Sequence, residues 1–206
     1  MDMIIIQEIA YSKKKGCIVA SGEKYDNLSL SVMLKFAFKK GDEVTSARFK
    51  EFLKESEEVA AKDYLFALLA RGARTEKEAA NKLYQKGFSK RSVAGAVELA
   101  KSYGYLSDAD YVKNYISTHS HSKGGFRIKR ELKEKGIPSQ LVESLLNEVE
   151  LDETGAALAV AQKFIKNRTL DDKTKQRLFR HLAARGFSYD TIRQVMSQIG
   201  VSFDEE

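Results

Sequence analysis

The sequence predicts a mainly α-helical chain: three tandem three-helix repeats in an elongated array, preceded by a small β-rich domain. Three observations predict it. Stretches beginning at Asn81 (NKLYQKGFSKRSVAGAVELAK), Arg130 (RELKEKGIPSQLVESLLNEVE) and Arg180 (RHLAARGFSYDTIRQVMSQIG) match position for position. A further helix-like run precedes each of them: KDYLFALLARG from Lys62, ADYVKNYISTHS from Ala109 and GAALAVAQKFIKN from Gly155. The residues before about position 60 do not join the repeat and read as short strands and helices.

Each repeated position has a physical reason. Gly87, Gly136 and Gly186 coincide at steps of 49 and then 50 residues. A glycine there ends a helix in the left-handed conformation, which other residues adopt at a cost. Leu83, Leu132 and Leu182 lie four residues earlier, and Phe88, Ile137 and Phe187 follow directly. Those are the two positions that touch when a helix closes in a Schellman turn. Val93, Val142 and Ile192, with Val97, Leu146 and Met196 four residues on, face one way on the next helix. Ser89 and Ser188 are placed to cap that helix, and Pro138 replaces the serine in the middle copy. Single helices of this length are marginal in water, so three must share a core and stacked units share more. The expected boundaries are 1–58 for the β-rich domain and 59–107, 108–152 and 153–206 for the repeats.

In the first segment, MIIIQEIAY and CIVASG read as strands around a turn at SKKKG, whose lysines Lys13, Lys14 and Lys15 form a solvated tip. KYDNLSL adds a third strand. SVMLKFAFKKGDEVT reads as a short helix ending near Lys40–Gly41, and Thr45 caps the next helix, SARFKEFLKESEEVAA. Three short strands form a marginal sheet, so helices are expected to cover one face.

Hydrophobic content of 43% and charged content of 31% suit a packed protein. No apolar run reaches membrane-spanning length, and the order of charge and apolar residues at the start is the reverse of an export signal. A cytoplasmic, monomeric protein is expected. Cys17 is the single cysteine, which excludes an internal disulfide, and one thiol with three histidines argues against a structural metal site. The net charge of +6 is uneven: residues 1–58 hold 10 basic and 10 acidic side chains, so the whole excess lies beyond them. That surplus is compatible with a polyanionic partner and equally with ordinary solubility.

The chain has no phosphate-binding loop, nucleophile elbow, HExxH or CxxC pattern, and no convergence of base, nucleophile and electrophilic stabiliser. No enzyme, metal or cofactor is expected. Gly124–Gly125 reads as a break between helices, His119 and His121 as polar connector residues, and His181, which replaces Glu131 of the second copy, as a surface variation. Tyr103, Tyr105, Tyr111 and Tyr115 are read as packing residues. In GGFRIKRELKEKG, Ile128 and Leu132 are core, while Lys129, Arg130 and Lys133 fall on a stripe away from it. Arg127 and Arg130 have counterparts in the third copy, Arg177 and Arg180; the first copy has Glu78 and Asn81 instead.

KLYQKGFSKRSVAGAVELAKSYGYLSDADYVKNYISTHS, followed by KGGFRIKRELKEKGIP, closely resembles the RecX family of bacterial regulators of the RecA recombinase. The matching elements are Leu83, Lys86–Gly87–Phe88, Val93, the GYLSDADY turn from Gly104, and Gly124, Arg127–Ile128, Glu131–Leu132 and Lys135–Gly136–Ile137. The likeness is strong over residues 60–150 and weaker over 150–200. It implies a non-enzymatic modulator that binds the RecA–single-stranded-DNA filament along its groove and inhibits strand exchange, ATP hydrolysis and co-protease activity. The contacts expected on that reading are Arg127, Lys129, Arg130 and Lys133, with Arg177 and Arg180, meeting filament carboxylates or DNA phosphates. Two other readings stay open at this point: a stand-alone DNA-binding protein built of helix-turn-helix-like units, and a helical adaptor for another protein.

Overall fold

A computed structural model describes residues 2–13 and 15–201. Lys14, of the lysine run read as a loop tip, lies outside the described residues; Lys15 begins a strand and donates to Asn27 Oδ1 at 3.2 Å. The chain divides into two compact units, Met1–Leu106 and Ser107–Glu206.

The first unit opens with an antiparallel sheet. Strands β1 (Met3–Tyr11), β2 (Lys15–Ala20) and β3 (Glu23–Ser29) are those expected. A fourth, β4 (Glu43–Thr45), pairs with β1 through Ile4 and Val44, giving the order β3-β2-β1-β4. Helix α1 (Leu30–Phe36) ends at Ala37, not at Lys40–Gly41 as the sequence suggests. Ala37 takes the left-handed conformation and turns Phe38 inward, where it packs on Phe49 and Phe52. Gly41 then donates to the Ile6 carbonyl at 2.7 Å, two residues before β4 begins.

Helix α2 (Ser46–Leu69) is capped by Thr45 as expected, its Oγ1 accepting from Arg48 N–H at 3.3 Å. It runs unbroken across the boundary expected at residue 58, because no glycine or proline interrupts residues 46–69. Its first half buries Phe49 and Phe52 under the sheet; its second half buries Ala61 and Leu65 in the first three-helix core. One helix thus serves both the sheet and the first repeat, which α3 (Glu76–Gln85) and α4 (Lys90–Ser102) complete. Thr75 and Glu78 form a capping box at the start of α3, each side chain taking the other's backbone N–H. Thr75 is fully buried. Thr75→Ala is expected to cost about 1–2 kcal/mol, read as a lowered thermal midpoint.

The second unit contains the other two repeats: α5 (Asp108–His119), α6 (Gly125–Glu134) and α7 (Ser139–Asn147), then α8 (Glu153–Ile165), α9 (Asp172–Ala184) and α10 (Tyr189–Gln198). The turns at Gly87, Gly136 and Gly186 are alike. Their φ angles are +86°, +90° and +82°. In each, the residue after the glycine donates to the carbonyl of the leucine four before it, at 3.3, 3.1 and 3.4 Å. The glycine itself donates to the next carbonyl along, which completes the Schellman closure. Leu83, Leu132 and Leu182 are fully buried, so each turn is stapled to its own core. Ser89 and Ser188 cap α4 and α10 by accepting from Ser92 and Thr191. Pro138 occupies the equivalent N-cap position of α7 without a side-chain bond.

Candidate functional site

Helix α6 is the most strongly amphipathic segment of its repeat. Ile128 and Leu132 are buried, and Lys129, Arg130 and Lys133 stand exposed on the other side. Arg130 lies 3.9 Å from Glu134, a solvated pair of little energetic weight. On α9, Arg180 occupies the register of Arg130 and Arg177 that of Arg127, and both are exposed; Arg180 Nε donates to the Gln176 carbonyl at 3.4 Å.

Arg127 is placed differently. Its Nε donates to Glu131 Oε1 at 2.8 Å, and its Nη1 donates to the Ala184 carbonyl at 3.3 Å. Those bonds tie it into the junction between the second and third repeats. Gly124 N–H donates to the Arg185 carbonyl at 3.0 Å, and Arg185 Nη1 donates back to the Ser122 carbonyl at 3.2 Å. Gly125 N–H donates to Glu153 Oε1 at 2.6 Å. The junction is therefore closed mainly by backbone groups meeting across it, and the Gly124–Gly125 break supplies the room.

Glu131 gathers a clasp within the second repeat. Lys123 Nζ at 2.6 Å, Arg127 Nε and the Tyr115 hydroxyl all donate to it. Burial pushes the Glu131 carboxyl upward, but those three donors outweigh it and hold the group at about 2. Tyr115 stacks on Tyr111, so this pair serves packing as expected. Tyr103 and Tyr105 instead stay 61% and 66% exposed and form a ring cluster with Phe66 in the first unit.

His181 is no surface variation. It is half-buried beside Phe164, ring centroids 4.8 Å apart, and its Nε2 accepts from Arg185 Nε at 3.1 Å. It lines an open hollow of about 530 Å³ together with Arg168, Arg177 and Arg180. Sequence reasoning found Arg177 and Arg180 but missed Arg168, which sits in a connection with no counterpart to compare. His119 packs against the Tyr115 ring at 4.3 Å, and burial, with the Lys123 ammonium beside it, lowers its pKa. Among the described residues no group of three His, Cys, Asp or Glu side chains comes together as metal ligands, and no helix is long and apolar enough to cross a membrane.

Residues 107–146 match the family model described as RecX, second three-helix domain, and residues 152–196 match RecX, third three-helix domain. The chain is 32% identical over 194 residues to the regulatory protein RecX of Bacillus licheniformis, covering 89% of this chain and 72% of that protein. The chain belongs to the RecX family. The regulatory protein RecX of Clostridium perfringens strain 13 is 31% identical over 155 residues, 73% of each chain. Among solved structures, a regulatory protein RecX aligns with a TM-score of 0.67 over 94% of this chain and 99% of its own, at 20% identity. RecX from Lactobacillus salivarius aligns at 0.62 over 69% and 96%, at 21% identity. This chain shares their fold, and in it the RecX three-helix domains follow a small antiparallel sheet. The similarity to proteins named regulatory supports a RecX regulator.

Proposed function

We propose that this RecX chain is a non-enzymatic, cytoplasmic monomer that binds the RecA filament on single-stranded DNA and inhibits its recombinase, ATPase and co-protease activities. The observation that carries the reading is the pair of equivalent middle helices, α6 and α9, each burying an apolar stripe and turning cations to solvent, with Arg130 and Arg180 in the same register. Lys129, Arg130 and Lys133 on α6, with Arg177 and Arg180 on α9, make charge contacts to filament carboxylates or DNA phosphates. Arg127 contributes by holding the junction that presents them.

The test is RecA ATPase on single-stranded DNA, titrated with this protein. Inhibition is expected at micromolar concentration, and no change at micromolar excess overturns the proposal. The double variant Lys129→Glu, Arg130→Glu is expected to weaken inhibition several-fold with an unchanged circular dichroism spectrum, since both side chains are exposed. Reversal at Arg127 is expected to disturb folding as well, because its bonds are internal.

A further inference from the structure

The third repeat carries a cationic groove whose counterpart in the second repeat is neutralised by a carboxylate. Glu131 draws Lys123 and Arg127 onto itself in the second repeat. The equivalent position in the third is His181, so that carboxylate is replaced by an imidazole. Two adjoining hollows, of about 530 and 420 Å³, share Phe164, Arg168 and His181. Arg177 and Arg180 line the first; Lys163, Arg185 and His121 line the second. Among the described residues, no carboxylate lines either one. The larger cleft of the first unit, at about 800 Å³, differs in that Asp26, Glu57 and Asp63 share it with Lys15 and Lys86.

We propose that this groove binds the phosphodiester backbone of a single DNA strand, and that His181 couples the binding to uptake of a proton. The site shares Arg177 and Arg180 with the filament reading and goes beyond it, because it requires no recombinase. Cations spread over two joined hollows suit successive phosphates better than one small anion. A flexible single strand can follow both hollows, whereas a stiff duplex cannot bend over so short a span. Among the described residues Phe164 is the one apolar ring in it, and the Arg168 guanidinium already sits over that ring at 4.1 Å, with the His181 ring 4.8 Å away. Recognition is therefore of backbone charge and carries no sequence preference.

The proton linkage follows from the position of His181. Its Nε2 accepts from Arg185 Nε, and an imidazole accepts only while it is neutral. Burial first, then the Arg185 and Arg168 guanidiniums, hold it below its ordinary value, which favours the neutral ring at pH 7. The charged groups facing it are Lys163 on α8, Arg168 beyond it, Arg177 and Arg180 on its own helix, Arg185 at that helix's C-cap, and His121 from the second repeat. All are basic, so an incoming phosphate is the group that supplies negative charge. That charge favours the imidazolium, which gives up Arg185 Nε and donates to the strand. The sign is fixed: the protonated form binds the anion more tightly, so affinity rises as pH falls.

Fluorescence anisotropy of a labelled oligothymidylate of about 15 nucleotides, with the full chain and no recombinase, tests this. Affinity is expected to rise about tenfold between about pH 8 and pH 5.5. Arg177→Glu with Arg180→Glu is expected to weaken binding by more than about tenfold. His181→Gln is expected to bind at pH 8 within about twofold of the parent and to lose the rise on acidification. His121→Gln is expected to keep that rise. His181→Glu restores the carboxylate that the second repeat folds with, and is expected to abolish binding while leaving the thermal midpoint near that of the parent.

The proposal is overturned by oligonucleotide binding that ignores Arg177 and Arg180, by a pH response that survives His181→Gln, by equal affinity for a duplex of the same length, or by displacement with millimolar inorganic phosphate at constant ionic strength. A failed ATPase titration beside intact oligonucleotide binding removes the filament reading alone; the converse removes only the groove.

Discussion

Gly186→Ala is expected to destabilise the second unit by about 4 kcal/mol, against about 1 kcal/mol for Gly87→Ala in the first. Both glycines sit at φ above +80°, so both substitutions meet the same backbone penalty. They differ in what a β-carbon would touch. Nothing lies within 4 Å of one built at Gly87. One built at Gly186 would fall 2.8 Å from the Arg127 Cα and nearer still to its nitrogen and β-carbon. Those atoms belong to the first turn of α6 and cannot swing aside. The facing residue is matched: a β-carbon on Gly124 would lie 2.5 Å from Phe187 N and closer to the Gly186 carbonyl. Alanine at either position must push α6 away from the α9–α10 turn and break the Gly124–Arg185 and Arg127–Ala184 hydrogen bonds. Thermal melts of the two variants side by side are the measurement. A drop of about 10 °C or more is expected for Gly186→Ala and a few degrees for Gly87→Ala. Equal drops would show that the close approach contributes nothing beyond backbone strain.

That contrast marks what was legible in the sequence. The repeat could be read because each glycine closes onto a leucine in its own helix. A closure inside one unit must recur at fixed spacing whenever the unit does, and Gly87, Gly136 and Gly186 do. The meeting of Gly124 with Gly186 is a relation between two repeats, 62 positions apart in the chain, and no local period encodes it. Strand β4 escaped notice because three residues carry no alternation to detect; its partner β1 defines it. The continuity of α2 was hidden for another reason. Its two halves bury residues in different cores, so the apolar pattern changes at mid-helix although the backbone does not. The exposed stripe Lys129, Arg130 and Lys133 was visible from angular spacing, since Ile128 and Leu132 fix the wheel. Arg127 lies beside that stripe, and its carbonyl partner on α9 could not be read from its own helix. The exchange of Glu131 for His181 was visible as a mismatch between copies. Its consequence was not, because Lys123 and Arg168, which decide the charge around each position, lie in connections of unrelated sequence.

Glu131→Gln is expected to cost about 2 kcal/mol at pH 7, and the cost is expected to shrink in acid. The variant keeps a side chain of the same shape but offers Lys123, Arg127 and the Tyr115 hydroxyl a neutral amide in place of a carboxylate. Lys123 and Glu131 are 18% and 19% exposed, so losing the carboxylate leaves a cation with little water to replace it. The pH dependence follows from the direction of the shift. The folded-state value of about 2 lies below the ordinary 4.5, so the carboxylate's stabilisation is fully present above 4.5 and is lost as pH falls through about 2. The variant has no proton to take up at this position. Urea denaturation at a series of pH values should therefore show parent and variant furthest apart at neutral pH and converging below about pH 4.5. A gap that stays constant from pH 7 to pH 3 would mean that the clasp acts by shape and packing rather than charge. Tyr115→Phe removes one of the three donors while keeping the ring stacked on Tyr111, and is expected to cost about 1 kcal/mol. The ordering of the two variants then separates the charge of the clasp from its aromatic support.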